Sequence, residues 1–364
     1  MSGVCQQCAR RAWLLEKLSV RLDFRARDLA RFWSVLELPD TELIDAAGGR
    51  RRADLHAEYA EWEPAQTGES GDVESVCRHH PAYPRCLRED PLAPYALSVR
   101  GGVERLAPML EEKVVAIVGT RRASDYGMET ARALARGLAA AGVIVASGLA
   151  EGIPAAVHAG ALEADGATLT VMVGGVERCS PAWCAPLYRR ILERGCAIAE
   201  SHSSPRTRRW WQHARARTLA LLAQLVIVVE AAEQPWELAC AHVARSRGRR
   251  VAAVPGRVSS PASKGTNSLL MSGAQLVRGP QDALDVLYGV GVRDACDPSV
   301  KPVELEPRLA RVLERVSSGE DTMAKLTARG DASVEVALAL TELELQGLLS
   351  RGDGGRYLPR AGTV

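Results

Sequence analysis

The sequence predicts an α/β fold: a parallel sheet covered by helices, preceded by a helical unit and followed by a winged-helix-like domain. Three observations carry this reading. Apolar runs recur at Val114–Val118, Val143–Ser147, Leu169–Val173, Ala197–Ala199, Leu225–Val229 and Val251–Val254, with helix-like segments between them. Such alternation is the pattern of strands buried on both faces. The first 62 residues instead carry apolar residues at helical spacing. The last segment has three helix-like units and a strand-like end after a glycine turn.

Taken in order, residues 1–62 form the helical N-terminal unit. Trp13, Leu14, Leu18 and Leu22 mark one helix, and Leu29, Phe32, Trp33 and Leu36 a second. Pro39-Asp40 opens a third, which closes at Gly48-Gly49. Residues 63–112 are a connector rich in Pro, Gly and His, with one short strand expected at Tyr95–Val99. Residues 113–288 are the main domain. Its helices are expected at Gly127–Ala141, Pro154–Ala164, Cys184–Arg194, Ala214–Ala223 and Trp236–Ser246, and Gln275–Val277 offers a last strand. Crossovers between the strands should be right-handed. Residues 289–302 form a linker. In 303–364, Pro307–Val316, Met323–Ala328 and Ser333–Leu349 precede the turn Asp353-Gly354-Gly355, and Tyr357-Leu358 completes the wing.

The 364 residues, 47% apolar and 25% charged, are enough for two or three domains of an ordinary globular protein. A net charge of +2 means that any affinity for nucleic acid rests on local basic patches. No apolar run reaches the ~18 residues of a membrane span, and the N-terminus lacks the layout of a signal peptide. No membrane partner and a cytoplasmic location are therefore expected, where nine cysteines do not read as a disulfide scaffold.

Four segments look able to meet phosphate. The first run ends in Gly119-Thr120-Arg121-Arg122, a strand–turn–helix junction with two arginines at its mouth. Backbone N–H groups at a helix N-terminus suit an anion. The dinucleotide and Walker fingerprints are both absent, which argues against NAD and ATP. Ser147-Gly148 and the turn after it end the second run, with His158 in the next helix, where packing is the commoner role for a lone histidine. Ser201–Arg217 holds five arginines and the pair Trp210-Trp211, with no acid. Arginines there, Arg215 and Arg217 among them, would follow phosphates while an exposed indole stacks on bases. A solvated loop anchored to the core by a tryptophan would carry the same letters. Lys264, Thr266 and Asn267 lie in the basic loop after the sixth run, placed to contact backbone oxygens or to cap a helix. No nucleophile–base–acid set stands out. Glu200 and Glu230 sit at strand ends, where holding arginines or capping helices is the more natural work.

Cys5-x-x-Cys8 is half a zinc site, which Cys77 and His80 could complete, with His79 and Cys86 nearby. Such a zinc would be structural, stapling the N-terminal unit to the connector. No other cofactor is required.

Together VAIVGTRRASDYG, ASGLAEGIPAAVHAGAL, VIVVEAA, VAAVPG and SKGTNSLLMSGA make the chain resemble the DNA-processing protein A family, also called Smf, over roughly Val114–Leu287. The resemblance implies an extended Rossmann-like core that binds single-stranded DNA, self-associates as a homodimer and loads the RecA recombinase. It implies a mediator in DNA uptake and recombination, not an enzyme. It also implies DNA contacts at Arg121, Trp210 to Arg217 and Lys264. The chain departs from the family at Pro154, Ala216 and Pro235-Trp236-Glu237. The competing reading is a nucleotide-binding or nucleoside-monophosphate-cleaving enzyme on a related fold. Those hydrolases carry Pro-Gly-Gly-x-Gly-Thr, where this chain has only Pro255-Gly256-Arg257.

Overall fold

The computed structural model describes residues 3–25, 29–63, 72–200, 209–234, 237–295, 305–328, 332–346, 348–352 and 355–359. The chain divides into two compact units, residues 1–296 and 297–364.

The first unit is built on a nine-stranded sheet. Its strands are β1 (Val73–Cys77), β2 (Ala96–Arg100), β3 (Val114–Val118), β4 (Ile144–Gly148), β5 (Thr168–Val171), β6 (Cys196–Ala199), β7 (Leu225–Val228), β8 (Arg250–Ala253) and β9 (Gln275–Leu276). Their spatial order is β1-β2-β6-β5-β4-β3-β7-β8-β9. From β6 to β9 all neighbours are parallel, while β1 and β2 extend the sheet antiparallel beyond β6.

Side-chain parity explains the double-sided burial. Val115 and Ile117 of β3, with Leu225 and Ile227 of β7, face one apolar layer. It contains Leu134 and Leu138 of the helix Asp125–Ala140 and Leu284 of the helix Pro280–Tyr288. Val114 and Ala116, with Val226 and Val228, face the other layer. There the helices Arg209–Leu222 and Ala239–Ser246 pack. A strand's period of two thus sends alternate residues to two separate cores.

The N-terminal helices are part of this second layer. Leu14, Leu18, Leu22, Phe32, Leu43 and Ile44 are buried in the same cluster as Trp210 and Trp211. The connector contributes β1 as well as the expected β2. The helix expected at Trp236–Ser246 starts at Ala239, and Pro235 and Trp236 lie outside the described residues.

The second unit has helices Pro307–Ser317, Met323–Thr327 and Ser333–Leu345, and the antiparallel hairpin β10 (Leu349–Gly352) and β11 (Arg356–Pro359). Thr322 adds a bridge to Arg356 and caps the second helix through the Lys325 N–H. Leu309, Leu313, Leu326, Leu340, Leu343 and Leu349 fill its core. Three helices with a wing are what the sequence predicts.

Candidate nucleic-acid interface

β3 is the turning point of the sheet: the chain progresses one way from it through β4, β5 and β6, and the other way through β7 and β8. Loops leaving the carboxyl ends of strands at such a point diverge and leave a crevice. Gly119–Arg122 follows β3 here, and Glu230 follows β7. The Thr120 N–H donates to the Glu230 carbonyl at 2.7 Å, tying the two loops together. Thr120 Oγ1 accepts from the Arg122 N–H at 3.2 Å. Arg121 and Arg122 are exposed.

The helix N-terminus behind this loop already holds an anion. The buried Glu230 carboxylate accepts from Ser124 N at 2.9 Å and Ser124 Oγ at 2.6 Å. Ser124 Oγ in turn accepts from the Gly127 N–H at 3.1 Å. Gly127 is required there, because a Cβ would lie 2.3 Å from a Glu230 oxygen. The expectation that phosphate sits on the backbone N–H groups of this turn is therefore corrected. A carboxylate of the chain takes that place, and the two arginines stand outside it.

At the end of β4, Ser147 is buried and donates through Oγ to the Ile117 carbonyl at 2.7 Å, so it braces two strands instead of facing a ligand. Gly148 follows. Its carbonyl accepts from His158 Nε2 at 3.0 Å, and the other ring nitrogen lies 2.8 Å from Thr168 Oγ1. Complete burial keeps this imidazole neutral, with its pKa pushed down to about 4. His158 therefore positions Gly148.

The helix Arg209–Leu222 separates residues that sequence reading grouped together. Trp210 and Trp211 are buried, at 0% and 4% exposure, with ring centroids 3.8 Å apart. The Trp210 N–H donates to Asp23 Oδ1 at 2.8 Å, and Phe32 meets the ring of His213. Neither indole is available to stack on a base, and both pack against the N-terminal helices. Arg217 is also withdrawn: it is 3% exposed and paired with Glu200. Arg215 points elsewhere, over Gly148, where a Cβ would lie 2.8 Å from its Nη1. Burial, and then the charge of Arg121, push its pKa down to about 10. Among the described residues, no carboxylate is paired with Arg121 or Arg215. The start of the basic run, residues 201–208, lies outside the described residues.

The loop after β8 is held by Asn267, whose Oδ1 accepts from Gly256 N at 3.2 Å and whose Nδ2 donates to Gly256 O at 3.1 Å. Thr266 is buried and donates to the Ser263 carbonyl at 3.0 Å. These two residues shape the loop from within, while Lys264 is exposed at the start of the helix Lys264–Met271. Glu237 does not add a free acid, because it accepts from the Ala232 N–H at 2.5 Å. Sequence reading missed Tyr126, which is 56% exposed and donates to the Pro255 carbonyl at 3.3 Å. The signal was an aromatic residue in the first turn after the arginine loop.

The expected metal set also changes by one residue. Cys5, Cys8 and Cys77 come together with His79, their ligand atoms all within 4.8 Å of one another. His80 turns away, its Nδ1 accepting from the Ala82 N–H at 3.2 Å.

A nine-stranded, mostly parallel sheet whose turning point presents exposed arginines, and whose helix terminus carries a carboxylate of the chain itself, defines a Rossmann-like protein. Comparison with known proteins gives the family. The chain belongs to the DNA recombination-mediator protein A family, whose model matches residues 74–288. It is 33% identical over 337 residues to the putative DNA processing protein DprA of Mycobacterium tuberculosis, covering 89% of this chain and 80% of that protein. It is 32% identical over 291 residues to protein Smf of Escherichia coli, covering 75% and 74%. Among structures it is similar to DNA processing protein A of Streptococcus pneumoniae, with a TM-score of 0.60, 26% identity, and coverage of 76% of this chain and 95% of that one. A second match, to DNA processing protein A of Helicobacter pylori, described for its single-stranded DNA binding mode, has a TM-score of 0.52 and 24% identity over 59% of this chain and 95% of that one, and shows the fold alone.

Proposed function

We propose that this DNA-processing protein binds single-stranded DNA along the crevice at β3, β4 and β7, and assists the loading of RecA onto it. The observation that carries the reading is the pair Arg121 and Arg215. Burial and the nearby charge of Arg121 both weigh against the charged form of Arg215, with no carboxylate paired to either among the described residues. A phosphate between them would relieve that repulsion and add charge-assisted hydrogen bonds. Lys264 and Tyr126 supply a further cation and a stacking ring for neighbouring nucleotides. The closed helix terminus favours lateral contacts to a strand over end-on capture of one phosphate.

The reading extends to RecA as the protein partner, a homodimer as the working form and the cytoplasm as its place; membership of a recombination-mediator family favours a recombinase partner. The reading is of a binding protein and not an enzyme. The carboxylates that the monophosphate-cleaving reading would need are engaged, Glu200 by Arg217 and Glu230 by Ser124.

Fluorescence anisotropy with labelled oligo-dT tests the reading. Binding should weaken steeply with salt as phosphate contacts release counterions. Arg121→Glu should lower affinity at least about tenfold, through a lost charge-assisted contact and added repulsion, with an unchanged melting curve. No binding at low salt, or release of free base from a nucleoside monophosphate, would overturn it. RecA filament assembly on strands coated with single-strand-binding protein tests the loading step, and equilibrium sedimentation the dimer.

A further inference from the structure

We infer that Cys5, Cys8, Cys77 and His79 form a structural zinc site that clamps the first helix to the edge of the sheet. The four residues come from two segments far apart in the chain. Cys5 and Cys8 flank the start of the helix Gln6–Lys17, and Cys77 and His79 lie at the end of β1 and in the turn after it. Their donor atoms all lie within 4.8 Å of one another. His79 Nδ1 is 3.2 Å from Cys5 Sγ and 3.4 Å from Cys8 Sγ. A tetrahedron with zinc–sulfur bonds of ~2.3 Å and a zinc–nitrogen bond of ~2.0–2.1 Å has edges of about 3.5–3.8 Å. The two histidine–sulfur distances lie just below these edges and the other donor pairs within 4.8 Å, so side-chain shifts of up to about an ångström would seat a tetrahedral ion.

The surroundings are arranged as a second shell. The Cys5 backbone N–H points at Cys77 Sγ, 3.4 Å away, a contact that suits a thiolate. The Cys77 N–H is held by the Gly3 carbonyl at 3.1 Å, and Gly3 pairs beside Val76, so the N-terminal segment is aligned on β1. Cys8 and Cys77 are 0% and 1% exposed, packed with Ala96 and flanked by Val4 and Tyr95. His79 lies at the surface, which gives the ion a path in. Three sulfurs and one imidazole close the coordination sphere with no position left for a water, the signature of a structural ion and not a catalytic one. Cys86, the other cysteine of the connector, is absent from the group.

The test uses the full chain, expressed in zinc-supplemented medium and purified without chelator. Metal analysis should find one zinc per chain. Cobalt(II) exchanged into the site should show the intense visible bands of a tetrahedral thiolate complex. Cys5→Ser and His79→Ala, both at the surface, should lose the bound zinc during dialysis against a mild chelator, while His80→Ala keeps it. Stripping the metal should lower the melting temperature of the wild-type chain and leave that of Cys5→Ser unmoved. Metal-free protein with its thiols freely titratable and a melting curve indifferent to zinc would overturn the inference. So would a disulfide within the three cysteines, or zinc retention that depends on His80 and not on His79.

Discussion

Two faces of one helix, Arg209–Leu222, do opposite work. On one face Trp210, His213 and Arg217, at i, i+3 and i+7, join the N-terminal helices to the sheet, with every charge answered. Arg217 has Glu200, and the Trp210 amide has Asp23. On the other face Arg215 lies over Gly148 beside Arg121, and neither is paired with a carboxylate among the described residues. A half-buried cation facing a like charge, as Arg215 does, is costly, and folds tolerate it where a ligand supplies the missing charge. The same residue type is thus a structural bolt at one position and, two residues earlier, the group proposed to bind.

The contrast can be broken most forcefully on the bolted face. Trp210→Ala opens a large cavity between the N-terminal helices and the sheet and should cost about 3–5 kcal/mol in a denaturant melt. Arg217→Ala should cost a similar ~3–5 kcal/mol, because it strands the Glu200 carboxylate in the interior. Restoration of most of that loss by adding Glu200→Gln would sharpen the point, while a neutral Arg217→Ala would refute it.

A pH titration probes the histidine that holds Gly148, the residue over which Arg215 lies. His158 is neutral in the fold with a pKa near 4, against an ordinary 6.5, so the unfolded chain binds a proton more readily. Its contribution is fully present above pH 6.5 and is lost as the pH falls toward 4, by about 3 kcal/mol in all. His158→Gln should flatten that part of the stability profile.

On the face proposed to bind DNA the effects should be smaller and leave folding alone. Gly148→Ala displaces the end of the Arg215 side chain, which can swing aside, so affinity for oligo-dT should fall severalfold with little change in stability. Lys264→Ala should reduce the slope of log affinity against log salt by about one unit, uniformly across sequences. An effect confined to one sequence would mean that Lys264 reads a base instead.

Much of the fold was legible because periodicity is local. Runs such as Val114–Val118 alternate between two cores and can serve only as doubly covered strands. Val73–Cys77 escaped notice because VESVC is half polar, pairs antiparallel at the sheet's edge and stands in a Pro-rich stretch. The site was legible as a list and not as a set of directions. A basic–aromatic run reads the same whichever side of the helix faces out, yet the stripe through Trp210, Ala214, Arg217 and Leu221 follows the spacing of a buried face. The metal set failed by one residue for a related reason. Whether His79 or His80 faces Cys77 is decided by the turn after β1, which composition does not record.

The Glu230 carboxylate at the start of Asp125–Ala140 has a wider consequence. It acts as a built-in surrogate for the pyrophosphate that Rossmann enzymes seat at the equivalent spot. A carboxylate there repels a second anion, which disfavours end-on seating of a phosphate at this terminus. A strand lying laterally, as proposed, would instead gather its affinity from several weak contacts at once.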